Sequence, residues 1–278
     1  MKIFFIFISI TTFFIFLTPI PICAQSDVLK NQGNVIFETV RYEQELQDLT
    51  IEYKNLLNTY VQAEADFKFA QAQYNQLQTL AAMEEAIEAS KKVFIARDEV
   101  LIRYAKILKL KLYLTYGVYL PRKQAQIDQL DELIGQLEIH LQATQAVTTR
   151  DELMQTTSDF ELLGTQLQAQ VQLTTPLFSL GKLQTTFDKT ENLIAQIKQN
   201  VADSDLSAAD KATKQRWLKL VNDKQAEAKV QLDAFNGPPQ YEILRGEQVE
   251  VIPEGDTNSI YALLSQVLSY LEEIAGVI

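Results

Sequence analysis

Side chains able to do chemistry are few in this chain, and their spacing decides what they can do. His140 is the only histidine among 278 residues. A di-iron helix-bundle site needs a glutamate three positions before such a histidine, and Leu137 stands there instead. Zinc and related centres need several nitrogen, sulfur or carboxylate ligands brought together, so His140 reads as a surface residue of a helix. Asp203, Asp205 and Ser207 imitate the start of a calcium loop, but Ala208 takes the place of its obligatory glycine and Lys214 that of its bidentate glutamate. A helix N-terminus explains them more simply. Cys23 is the only cysteine and falls in an apolar N-terminal run, which leaves the rest of the chain without thiol catalysis or a disulfide framework. There is no Gly-x-Ser-x-Gly and no phosphate-cradling glycine loop. Neighbouring carboxylates at Glu84-Glu85, Asp98-Glu99 and Glu272-Glu273 diverge around a helix and cannot share a substrate. The chemistry points away from an enzyme, and neither a cofactor nor a metal is expected.

Two surfaces offer binding instead. Between 91 and 123 stand nine Lys and Arg against Asp98 and Glu99, a local excess of +7 in a chain of formal net charge -11. Lys91, Lys92, Arg103, Lys106, Lys109 and Lys111 are the candidate residues of this face. It suits lipid head groups, an anionic wall polymer or an acidic partner; the alternative is that Asp128, Asp131, Glu132 and Glu138 of the next helix neutralise it internally. The second surface is the last helix, with Tyr261, Leu264, Leu268 and Leu271, which either docks back on the bundle or reaches a partner. Tyr53, Tyr60 and Tyr74, with Phe67 in the same register, read as core packing with hydroxyls at the edge, a sugar- or partner-binding stripe being the other possibility.

The elements that position these residues are helices. Tyr42, Leu46, Leu49, Tyr53, Leu56, Tyr60, Ala63, Phe67, Ala70, Tyr74 and Leu77 alternate steps of four and three, the repeat of a helix that keeps one seam against a neighbour. The outward positions, Glu43, Gln47, Lys54, Glu64, Lys68 and Gln71, make a mixed solvated face. No Gly or Pro occurs between Val35 and Tyr116, yet the phase fails after Ala81. Thr79 can cap a new helix, so a tight reversal around 79–82 is favoured over one unbroken rod. The second helix carries paired apolar residues every seven positions (Val93-Phe94, Val100-Leu101, Ile107-Leu108), a broad stripe that places it centrally. Gly117 stops it and Pro121 starts the third helix, which runs to Ala146. Thr149 to Glu152 reads as a capping box for the fourth. Pro176, with Gly181 following, predicts a kink or short break in that helix. Ser207 opens the fifth, and Asn236-Gly237-Pro238-Pro239 ends it.

At the N-terminus, Met1-Lys2 before the apolar run of residues 3–22 has the layout of an export signal. Cleavage after Ala24 is the first reading, with retention as an N-terminal anchor or lipidation of Cys23 as alternatives. The expected organisation is a signal or anchor over 1–24, a helical bundle over 25–236, an acidic non-helical linker over 237–256 and a C-terminal amphipathic helix over 257–278.

One segment carries a family likeness. Residues 171–182, with Thr175-Pro176-Leu177-Phe178 and Gly181, resemble the strand-to-helix transition of outer-membrane efflux channel proteins. The repeated halves and four strands of that family are not visible elsewhere, and the apolar period favours a kinked helix here. The resemblance implies a membrane-related role in a transport or secretion assembly.

These observations predict an all-α fold, an elongated and mainly antiparallel helical bundle with coiled-coil-like packing. The expected function is that of an exported, non-enzymatic structural or interaction module at the cell envelope or outside the cell. A membrane-anchored or outer-membrane component of a transport or secretion assembly is the alternative. The expected partner is a protein or envelope macromolecule, with self-association open, no nucleic acid, and membrane contact only through an uncleaved N-terminal segment.

Overall fold

A computed structural model describes residues 33–238, 240–244, 247–251 and 257–276, with side chains placed over 39–238 and 257–275. The export-signal region of 1–24 lies outside the described residues. Two compact units divide the chain, Met1–Glu38 and Thr39–Ile278, and of the first only the opening turn of a helix is described. The elements in order are α1 (Gly33–Leu77), α2 (Leu80–Leu114), α3 (Leu120–Ala146), α4 (Arg150–Asp203), α5 (Ala208–Phe235), strands β1 (Gln240–Leu244) and β2 (Glu247–Val251), and α6 (Thr257–Gly276). The fold is an all-α bundle of packed helices. Between α5 and α6 the backbone forms one antiparallel hairpin, with Gln240 opposite Val251 and Leu244 opposite Glu247.

Caps define most helix ends. Gln78 adopts a left-handed φ of 51°, and the Thr79 hydroxyl accepts the Ala82 N–H, so α1 ends and α2 begins within two residues. Gly117, at φ +75°, carries the turn from α2 to α3, and Pro121 lies in the first turn of α3. At α4 the Thr149 hydroxyl accepts the Glu152 N–H while the Glu152 carboxylate accepts the Thr149 N–H, a complete capping box. Ser207 caps α5 through the Asp210 N–H.

Short turns make successive helices antiparallel. Along α1 and α2, Tyr42 stacks on Tyr113, Glu52 pairs with Arg103, and Tyr53 meets Tyr104, so moving up α1 from Tyr42 to Glu52 moves down α2 from Tyr113 to Arg103. The seam read from the sequence is therefore the face that lies on α2: its positions from Tyr42 to Tyr74 are buried or half-buried. Leu77 departs from the expectation, being 58% exposed at the turn where the partner helix ends. α2 is the central helix, buried or half-buried over most of its length, and it packs on α3 and α4.

The 54-residue α4 belongs to two cores. Its first part, with Phe160, Leu163 and Leu167, closes a core with Ile102 and Leu108 of α2 and Ile127, Leu130 and Leu137 of α3. Further along, Ile194, Ile197 and Val201 pack with Leu218 and Val221 of α5 and with Val267, Leu271 and Ile274 of α6. The break predicted at Pro176 does not occur, and the segment likened to an efflux-channel strand is helical throughout. A proline within a helix costs about 3 kcal/mol, but Leu177 and Leu180 in the next turn are fully buried, and that burial offsets the cost and keeps the segment helical. The Thr175 hydroxyl donates to the Val171 carbonyl in the same turn. Gly181 is where the α2–α3 turn lies against α4: a β-carbon there would collide with the Thr115 methyl and stand 2.9 Å from the Tyr116 carbonyl oxygen.

Candidate functional site

The basic face of α2 is largely paired. Lys106 meets Glu138 at 2.8 Å and Lys109 meets Asp131 at 2.6 Å, both from α3, while Arg103 is taken by Glu52 of α1 at 2.8 Å. Internal neutralisation is thus the arrangement for the middle of this face, with a contribution from α1 that the sequence did not suggest. Asp128 and Glu132 instead accept bonds from Gln124 and Gln136 on their own helix. Lys91 donates to the Val147 carbonyl at the C-terminal end of α3. Lys92 is exposed. Lys111 is half-buried, and burial together with the neighbouring Lys182 charge pushes its ammonium pKa down. Glu45, Leu49 and Glu52 of α1 and Arg103, Lys106 and Lys109 of α2 line a shallow, open groove of about 410 Å³.

The last helix docks on α4 and α5. Leu264 and Leu271 are buried in the two cores and are occupied within this chain, so only Tyr261 and Leu268 of the four residues expected to reach a partner remain exposed. The physical reason is that the apolar period of α6 fits the cleft between α4 and α5. Lys214 of α5, 2% exposed, donates to the Ile274 carbonyl and satisfies the C-terminal turn of α6.

His140 is not on the surface. It is buried with Asp98, Thr144 and Thr156 where α2, α3 and α4 meet. Nδ1 of His140 lies 2.7 Å from Oδ2 of Asp98, and Nε2 lies 2.9 Å from the Thr156 carbonyl oxygen. A carbonyl only accepts, so Nε2 carries a proton; Nδ1 against a carboxylate oxygen needs another. One proton between Nδ1 and Oδ2 therefore completes the pair. Burial on its own pushes the His140 pKa down, but the bonds to Asp98 and Thr156 and the Asp98 charge outweigh it, and the net shift is upward. Arg97 closes the other side of Asp98 at 3.1 Å and lies over the Phe160 ring, while Tyr60 of α1 feels its charge. Burial pushes the Arg97 pKa down, with Asp98 opposing that.

Asp98 is the residue that sequence reasoning passed over. It lies four after Phe94 and two before Val100, on the buried stripe of α2, and His140 lies three after Leu137 on that of α3. Two polar residues placed on apolar stripes of neighbouring antiparallel helices were the available signal. With both His140 nitrogens engaged and Asp98 fully buried, the pair meets no substrate; it binds three helices together. Among the described residues no group of three or more His, Cys, Asp and Glu is placed to hold a metal ion.

The aromatic seam packs inward too. Tyr53 is buried against Tyr104, whose hydroxyl pKa is pushed up to about 12 by burial and by Tyr53. Of the outward positions expected on α1, Gln47, Lys54 and Lys68 are exposed. Glu43, Glu64 and Gln71 are half-buried at the edge of the seam, and the row most remote from α2 is Val40, Gln44, Gln47, Ile51, Asn55, Asn58, Gln62, Ala65 and Phe69. Every one of these is exposed and none is charged. Among the described residues no helix is long and apolar enough to cross a membrane. Comparison with family models, with curated proteins and with solved structures finds no match to this chain.

Proposed function

We propose that this protein is an exported, non-enzymatic helical module that works by binding a protein or envelope macromolecule at the cell envelope or outside the cell. The observation that carries the reading is the uncharged outer row of α1, from Val40 to Phe69, on a chain of net charge -11. An acidic protein that runs an uncharged row along the outside of one helix, with Val40, Ile51 and Phe69 in it and the exposed charges of Asp48, Lys54 and Asp66 at its margins, presents a surface for close contact. The reactive groups that resemble catalytic parts, Asp98 and His140, are spent on packing. Export rests on the Met1-Lys2 and apolar 3–22 layout alone.

The test is crosslinking in the native envelope with Ile51→Lys and Phe69→Lys variants beside the unaltered chain. Both positions are exposed, so the fold persists while a charge enters the contact. Loss of the crosslinked species in the variants supports the reading, and an unchanged pattern refutes it. The second reading, a component of a transport or secretion assembly held at a membrane, draws on the length of the 3–22 run. Release by a salt wash favours the first; recovery only with detergent favours the second.

A further inference from the structure

We propose that α1 exchanges between two copies of this chain: the α1–α2 turn opens at Gln78-Thr79, the two helices join into one, and each α1 packs on the α2 of the other copy. This goes beyond the reading above by naming the partner of the seam face, and it stands whether or not the protein is exported.

Three observations carry it. The turn is only two residues long, and Gln78 holds a left-handed φ of 51° that a residue with a β-carbon disfavours. Short hinges under strain favour exchange, and no Gly or Pro between Val35 and Tyr116 prevents a continuous helix. The interactions described between α1 and α2, Tyr42 on Tyr113, Glu52 with Arg103 and Tyr53 on Tyr104, re-form unchanged between copies.

The third observation is the register. Tyr53 and Tyr104 stand at equal sequence distance on either side of the Gln78–Thr79 bond, and so do Tyr60 and Arg97. Leu77 and Leu80 are the innermost members of the same series. In the hairpin the turn keeps them from facing each other, and they are 58% and 67% exposed. In two joined helices running antiparallel the two-fold axis passes through the hinge. Leu77 of each copy then meets Leu80 of the other, burying two side chains per chain that the single copy leaves in water.

Sedimentation velocity on the full chain over a range of concentrations, with far-UV circular dichroism as a folding control, tests this. A dimer whose fraction rises with concentration is expected. Leu77→Glu and Leu80→Glu, exposed in the hairpin, keep the helical signal and weaken the dimer about tenfold or more. Gln78→Gly relieves the hinge and also shifts the balance to monomer. Exchange itself is read by refolding Glu52→Arg and Arg103→Glu chains together and weighing the products by native mass spectrometry. The mixed dimer alone satisfies both pairs, so it exceeds the statistical proportion. A chain that stays monomeric at every concentration, a dimer indifferent to Leu77→Glu and Leu80→Glu, or mixed dimer at no more than the statistical proportion overturns the proposal.

Discussion

Oδ2 of Asp98 lies 2.7 Å from Nδ1 of His140, and these two residues, 42 positions apart in sequence, join α2 to α3 inside the core. Such a pair contributes stability only while it holds its proton. The folded pKa of His140 is raised, so its contribution is complete below the unfolded value of about 6.5 and is lost as pH rises through the higher folded value. Thermal melts of the unaltered chain should lose this contribution on the alkaline side, and His140→Phe should melt with a flatter pH dependence over that range. His140→Ala leaves Asp98 with Arg97 as its remaining charged partner and should cost about 3 kcal/mol or more. Replacing both Asp98 and His140 by leucine should cost less than His140→Ala alone, as denaturant titration would show.

Gly181 admits no β-carbon without moving the α2–α3 turn. Gly181→Ala should destabilise the chain by about 1–3 kcal/mol despite the better helix propensity of alanine. Thr115→Ser, by removing the methyl group in the way, should recover part of that loss. Urea midpoints of the two single variants and the double variant measure the coupling. Additive midpoints would refute the contact.

Asn236 ties the end of α5 to the same turn. Its side-chain nitrogen donates to the Gly117 carbonyl and its oxygen accepts the Tyr119 N–H, both at 2.7 Å. Asn236→Ala should cost about 1–3 kcal/mol. Asn236→Asp keeps the acceptor and loses the donor, so its midpoint should fall between the two. An aspartate variant as unstable as the alanine one would show that the Tyr119 bond contributes nothing.

Lys214 satisfies a carbonyl that the last turn of α6 leaves over. Lys214→Met preserves most of the packing, so global stability should change by about 1 kcal/mol or less. Amide exchange over residues 272–276 should nonetheless quicken relative to the middle of α6. Equal exchange in the variant and the unaltered chain would count against the cap.

What the sequence reveals here is mostly local. The seam of α1 is legible because a repeat of four and three is enforced by one neighbouring helix, and the Thr149 and Ser207 caps are legible because each is a hydrogen bond within four residues. The turn at Gly117 follows from glycine alone. Relationships made by distant residues are not legible in the same way. His140 passes for a surface residue because its partner lies on another helix, and the predicted break at Pro176 gives way to burial of Leu177 and Leu180 that no local rule contains. The outer row of α1 was hidden for a related reason: which side of a half-buried helix faces away depends on how its neighbour covers the seam edge, where Glu43 and Glu64 lie.

α4 is about 81 Å of continuous helix at about 1.5 Å per residue, and neither core closes without it. Its role is that of a strut. A pull applied near Arg150 reaches Asp203 through one continuous helix that lacks only the hydrogen bond Pro176 cannot donate. Its weakest links in an isolated peptide would be Pro176 and Gly181; here Gly181 lies directly against Thr115 and Tyr116 of the α2–α3 turn, and Leu177, beside Pro176, is buried in the core. Load carried along α4 thus meets its proline and glycine where neighbouring elements pack against the helix.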